Sequence, residues 1–231
     1  MAAASPAVRF GLKPAVFLAC LWPALRLTAG AFGIAGISLG ADPVAMMLHT
    51  CGKWTLNFLM ITLCMTPLRL ATGGLIWLRF RRMFGLFAFF YGLLHFGVYL
   101  LLDQAGKWSA LWDDVLKRPY ITIGMLALLS LVPLAITSTA GWQRRLGRRW
   151  TQLHRLVYLI ALLGVWHYWW QVKKDVREPL LYACGLAILL GLRLWRQRQS
   201  LLQRFNAVRA ARSDASSRST SRLSASRCTD R

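Results

Sequence analysis

An all-α polytopic membrane helix bundle, with six transmembrane helices and both termini in the cytoplasm, is the fold this sequence predicts. Three observations lead there. Hydrophobic residues fill 56% of the 231 positions and charged residues only 16%, against roughly 45–50% and about 25% in an ordinary soluble domain. The 29 Lys and Arg outnumber the 8 Asp and Glu, giving a formal net charge of +21. Yet the charge lies between long apolar runs of about 20 residues, the length that crosses a bilayer core. A nucleic-acid binder also needs basic surface, but here long runs lack charge almost completely. Basic loops between apolar runs belong instead to a membrane protein.

The spans follow in order. The first, 13–33, starts after Arg9, contains Pro23, and carries Arg26, which can snorkel to the near interface. It also has the outline of a signal peptide, ending at Ala29-Gly30-Ala31, but its apolar stretch continues past that site. The second and third cover 48–68 and 83–102. The fourth, 119–138, is the cleanest, with no charge between Tyr120 and Thr139. The fifth and sixth cover 152–170 and 179–196. With the N-terminus inside, twenty Lys and Arg fall on the cytoplasmic side and seven outside, and six of the eight acids fall outside. That asymmetry sets the orientation. The layout is therefore a cytoplasmic N-terminus over 1–12, a membrane domain over 13–196, and a Ser/Arg-rich tail over 197–231. The tail has too little apolar surface to fold alone. It is expected to be disordered, cytoplasmic, and attracted to anionic lipid. No internal repeat is evident along the chain.

Several functions are excluded. No acid sits inside a long apolar run, which removes a paired-carboxylate site in the membrane core. The five cysteines are an odd number without a CxxC pair, so a disulfide framework, a zinc ribbon and covalent haem attachment are unsupported. No nucleophile elbow, phosphate loop or metalloprotease motif occurs.

The chemistry falls to four histidines, His49, His95, His154 and His167, all within or at the edge of predicted spans. A membrane histidine often serves only as a hydrogen-bonded packing residue. Imidazole is also an axial ligand for haem iron. His95 lies 13 residues after Arg82, and His167 lies 13 after His154, an axial rise of about 20 Å in each case. His95 and His167 can thus share an outer level and sandwich one haem, while Arg82 and His154 share an inner one. Thirteen residues also rotate an ideal helix by about 220° beyond whole turns. A kink, bulge or break before Leu153 is therefore needed to bring His154 and His167 to one face, and His154 stays ambiguous between haem iron and another ligand. On the inner side Arg79, Arg81, Arg82, Arg144, Arg145, Arg148 and Arg149 converge. They suffice to set topology. Their planar donor forks also suit a flavin phosphate or haem propionates, with Arg81, Arg82, Arg148 and Arg149 as candidates and His154 as a partner for a quinone headgroup.

These residues sit in stretches that resemble a known family: LGADPV (39–44), HTCGKW (49–54), TPLRL (66–70), RRMFGL (81–86), YGLLHFGVYL (91–100), RPYITIGM (118–125), PLAITST (133–139), LGRRWTQLHRLVY (146–158) and HYWW (167–170). In order over about 39–196, they are similar to the ferric reductase-like transmembrane group, and within it to the haem-binding membrane subunits of periplasmic methionine sulfoxide reductase systems. The resemblance implies a multi-pass protein of the bacterial inner membrane that carries haem b and FMN. It would move electrons without itself being catalytic. They would come from the quinone pool or a cytoplasmic flavin reductase and go to a periplasmic molybdenum-cofactor enzyme, MsrP. The resemblance supports His95 and His167 as the haem pair, leaves His154 as an ambiguous third, and makes His49 either a support for a ligating histidine or an alternative haem ligand. The wider group carries two histidines on each of two helices. Here Arg82 replaces the first, which puts an inner bis-His haem in doubt and leaves room for FMN or quinone. Three other readings compete: a ferric reductase-type cytochrome with another acceptor, a structural membrane protein or transporter without haem, and a nucleic-acid-binding protein that uses the Ser/Arg-rich tail.

Overall fold

The computed structural model describes residues 7–74, 76–172 and 175–228. Lys173 and Lys174, expected in an outer loop, lie outside them, as do residues 1–6 of the N-terminus and the last three of the tail. Among the described residues every regular element is helical, as the composition predicts. Nine α-helices follow one another: α1 (Lys13–Ala31), α2 (Pro43–Thr72), α3 (Ile76–Val98), α4 (Trp108–Lys117), α5 (Pro119–Ile136), α6 (Ala140–Leu146), α7 (Arg148–Leu153), α8 (Leu156–Gln171) and α9 (Arg177–Cys228).

Local chemistry sets the boundaries. Asp42 caps α2 by accepting from the Ala45 N–H at 2.9 Å, and Pro43 takes the first helical position, where its missing N–H costs nothing. Gly73, at φ +70°, ends α2, in the left-handed conformation glycine adopts readily. Tyr91 is fully buried and bridges into α1: its hydroxyl accepts from the Ala24 N–H at 3.1 Å and donates to the Cys20 carbonyl at 2.8 Å. The phenol is thus inserted in the helical ladder beside Pro23, a site where α-helices bend.

Among the described residues, five helical stretches are long and apolar enough to cross a membrane: Phe10–Ala31, Pro43–Thr72, Ile76–Asp103, Pro119–Ile136 and Arg177–Gln203. The fifth expected span, 152–170, folds as α8, free of charge but only 16 residues long, or about 24 Å. It is short because a turn at His154–Arg155 takes its first residues.

The chain divides into two units, Met1–Leu186 and Ala187–Arg231. Disorder is the expectation from 197 onward, yet the backbone of the second unit is helical to Cys228. The reason is local: after Gly191 the sequence holds neither Gly nor Pro, so no residue there breaks a helix. In the first unit, α2 packs along α3 and α5 along α8 as the two most extensive helix pairs, and α3 meets α5 while α2 meets α8. Trp54, Phe58, Phe84, Phe87 and Tyr91 interleave between α2 and α3. The Tyr182 hydroxyl donates to Asn57 Oδ1 at 2.7 Å, tying the start of α9 to α2.

Candidate functional site

His95, near the end of α3, and His167, in the last turns of α8, meet across the bundle. Their ring centroids are 6.1 Å apart and their planes nearly perpendicular, at 85°. Each imidazole is oriented by a backbone carbonyl. His95 Nδ1 lies 2.9 Å from the Leu48 oxygen on α2, and His167 Nδ1 lies 2.7 Å from the Tyr120 oxygen on α5. A carbonyl only accepts, so each Nδ1 must carry the proton and donate. Each Nε2 is then a bare lone pair, the form in which neutral imidazole binds a metal, with Nδ1–H held by an outer partner. Two metal–imidazole bonds of about 2.0 Å plus the radii of two rings sum to roughly 6 Å. The observed separation matches, so the pair fits one shared iron.

Both rings line a cavity of about 330 Å³, walled on its apolar sides by Leu56, Leu59, Phe96, Leu128, Leu131 and Ile160. That is within the size range of cofactor clefts. His49 lines it too, whereas His154 does not. At the rim stand Lys53 and Arg118. Lys53 pairs with Glu178, which also accepts from the Tyr168 hydroxyl. Arg118 Nε lies 3.1 Å from Asp114 Oδ1, and Tyr99 donates to the other oxygen of that carboxylate. The Asp114 charge raises the Arg118 guanidinium above its already high ordinary range. The sequence reading placed anion-holding arginines only at the inner level. These two cations at the histidine cavity escaped it, because in the sequence they are ordinary loop-end charges.

The cavity also corrects the expectation that the chain has no repeat. Its lining residues pair off at a constant offset of 72 positions: Leu48 with Tyr120, Gly52 with Gly124, Leu56 with Leu128, Leu59 with Leu131, Gly92 with Gly164, His95 with His167. All but Asp103, Arg118 and Ile160 have such a counterpart in the lining. The packing repeats as well. A Cβ on Gly92 would lie 3.3 Å from Leu128 Cδ1, and one on Gly164 would lie 3.4 Å from Leu56 Cδ1. Such exchange of partners is the signature of a pseudo-two-fold arrangement. α2–α3 and α5–α8 are therefore two copies of one hairpin facing each other across the histidine pair.

The inner level breaks that symmetry. The counterpart of Arg82 is His154. Arg82 Nη2 donates to Gln143 Oε1 on α6 at 3.1 Å. His154 stacks on Trp150 at 4.0 Å, and its Nδ1 lies 3.1 Å from the Trp150 oxygen. The break foreseen before Leu153 is present at Gly147, between α6 and α7, and a second interruption follows Leu153 at His154–Arg155, between α7 and α8. It nevertheless leaves His154 off the cavity. Its Nε2 is buried without a hydrogen-bond partner, the one such side-chain N or O atom among the described residues. Arg148 and Arg149 are exposed on α7.

A multi-pass helix bundle with two imidazoles freed toward one cavity defines a class: the ferric reductase-like transmembrane proteins. Residues 51–165 match the family described as "Ferric reductase like transmembrane component". More specifically, the chain is 58% identical over 160 residues to the "Protein-methionine-sulfoxide reductase heme-binding subunit MsrQ" of Xanthomonas euvesicatoria pv. vesicatoria, covering 69% of this chain and 73% of that protein. It is 53% identical over 181 residues to the protein of the same name from Rhodospirillum rubrum, covering 78% and 86%. The chain belongs to the MsrQ family.

Proposed function

We propose that this protein is the haem b-carrying, non-catalytic electron conduit of an inner-membrane methionine sulfoxide reductase system, with His95 and His167 as the two axial ligands. The observation that carries this reading is the pair of imidazoles at metal-sharing separation, each locked by a carbonyl with its Nε2 free. The haem, when bound, supplies reversible one-electron transfer. The chain's own residues do the rest. His95 and His167 would each offer the iron an imidazole Nε2, a ligand set that suits electron transfer rather than oxygen binding. The leucines of α2 and α5 keep water from the iron side. Lys53 and Arg118 offer cationic partners for carboxylates at the rim, and His49 stands beside the pair as an outer-shell residue.

On the cytoplasmic side, His154 and the Arg81/Arg82 level support a donor site. The Nδ1 proton of His154 is directed to the Trp150 carbonyl, so Nε2 is a proton acceptor. A buried acceptor suits the hydroxyl of a quinol, whose proton it can take as the electron leaves. FMN, implied by the family, fits the same side, where Arg81, Arg148 and Arg149 can meet its phosphate. The acceptor outside is the molybdenum-cofactor enzyme MsrP, and the basic tail rests on anionic lipid at the inner face.

The test reconstitutes haem-loaded protein in liposomes with a quinol donor, or with NADH and a flavin reductase. MsrP and methionine sulfoxide are then added outside. Haem reoxidation that requires both MsrP and methionine sulfoxide supports the proposal. Reoxidation by ferric chelates alone, with MsrP ineffective, moves the chain to the ferric reductase-type reading.

A further inference from the structure

Each histidine of the pair lies against a glycine of the neighbouring helix, and the arrangement is the same in both hairpins. A Cβ on Gly52 would stand 3.1 Å from His95 Nδ1 and 3.2 Å from its Cε1. A Cβ on Gly124 would stand 2.8 Å from both Nδ1 and Cε1 of His167. The carbonyls that orient the rings belong to Leu48 and Tyr120, in each case the residue one helical turn before the glycine. This relation has a physical cause. The carbonyl of residue i−4 has two lone pairs. One takes the helical N–H of residue i, and the other opens beside the Cα of residue i. Elsewhere on α2 the side chain at i fills that place itself. Thr55 donates to Cys51 O at 3.0 Å, Thr62 to Phe58 O at 2.7 Å and Thr72 to Leu68 O at 2.8 Å. At Gly52 and Gly124 no side chain is present, and an imidazole from another helix takes the vacant acceptor.

We propose that Gly52 and Gly124 are positioning residues: their bare helix surface seats His95 and His167 so that each Nδ1–H reaches the carbonyl one turn earlier and each Nε2 is presented to the cavity. The metal-binding consequence rests on the haem reading above, but the seat itself does not. The hydrogen bond fixes one tautomer, sets the plane of each ring, and raises the basicity of Nε2. The two seats differ in tolerance. A contact of 2.8 Å forces the His167 ring to move, whereas 3.1 Å requires the His95 ring to yield only a few tenths of an ångström. Gly97, two residues after His95 on α3, has nothing within 4 Å of an added Cβ and serves as the control.

The experiment compares Gly124→Ala, Gly52→Ala and Gly97→Ala in the full-length protein by two readouts. In haem-loaded protein, a weaker Nδ1–H bond leaves Nε2 a poorer donor to ferric iron. The midpoint potential should rise and the low-spin electron paramagnetic resonance signal should shift, most in Gly124→Ala, less in Gly52→Ala and not at all in Gly97→Ala. In apo protein with ¹⁵N-labelled histidine, His95 and His167 should give the Nδ1–H tautomer. Gly124→Ala should then release His167 alone, and Gly52→Ala His95 alone, into a tautomer mixture. If Gly124→Ala does not fold, Gly52→Ala, with its smaller clash, decides the matter. Folded variants with the parent potential, signal and tautomers overturn the proposal. A parent protein that takes up no haem defeats the haem reading instead, and the tautomer measurement still decides the seat.

Discussion

The hairpin of α2 and α3 and the hairpin of α5 and α8 are alike at one end and unlike at the other. At the outer end both present Gly, Leu, Leu, Gly and His at equivalent positions, with the imidazole held by a carbonyl of the same hairpin. At the inner end α2 runs unbroken to Thr72. The second copy instead breaks after Ile136 into α6 and α7, through the Thr137-Ser138-Thr139 run and Gly147. Arg82 in one copy stands at the position that His154 holds in the other. Even within the cavity, Lys53 and His49 of the first copy correspond to Met125 and Ile121 of the second. The level that holds a symmetric group keeps its symmetry. The inner level, where we place the donor site, and the rim with its charged side chains do not.

This contrast can be broken in graded ways. The largest effect is expected at the asymmetric end. His154→Ala should lower quinol-driven haem reduction by about 10²-fold or more, the usual contribution of a positioned base, while chemical reduction of the same sample and its visible spectrum stay unchanged. Stopped-flow absorbance with quinol and then dithionite reads both. Next, Leu59→Ala and Leu131→Ala, related by the repeat and both nearly fully buried, should each destabilise by about 2–5 kcal/mol. Thermal unfolding in detergent should place the two variants close together; a large difference between them would argue that the copies are not energetically equivalent. Tyr91→Phe removes the hydroxyl that bridges Ala24 and Cys20 and should cost about 1–2 kcal/mol, a shift confined to the first copy because Leu163 takes the equivalent place in the second. The smallest effect belongs to the rim. Lys53 and Glu178 are both substantially exposed, so Lys53→Ala should change unfolding by less than about 1 kcal/mol, and a larger loss confined to haem-loaded protein would mark Lys53 as a holder of the bound group.

The membrane class and the extents of α1 and α5 were legible because apolar length is a strong one-dimensional signal, whereas α3 begins seven residues before its expected start at 83, through the Arg79, Arg81 and Arg82 stretch where charge hides a helix. The shared depth of His95 and His167 was legible too, since axial rise depends only on residue count. The repeat was not. The two copies share few identities, chiefly Thr50/Thr122, Gly52/Gly124, Leu56/Leu128, Leu59/Leu131, Gly92/Gly164 and His95/His167, and helix faces turned to lipid tolerate any apolar residue. The glycine seats were hidden for a related reason: glycine is frequent in membrane helices, and only the approach of a second helix gives two of them a purpose. α4, α6 and α7 are short elements where loops were expected, below the length at which periodicity speaks. The helical backbone of the tail was missed because composition reports what a segment can bury, not whether anything in it interrupts a helix.

The central claim is that one iron takes an imidazole from each hairpin. It is tested most directly by the dithionite-reduced minus oxidised visible spectrum of purified parent, His95→Ala, His167→Ala and doubly substituted protein, with haem quantified against folded protein. A six-coordinate b-type spectrum in the parent, lost equally in either single variant and no further in the double, is the predicted result. A single variant that keeps the full spectrum, or a folded parent that remains colourless after haem supplementation, would contradict the account.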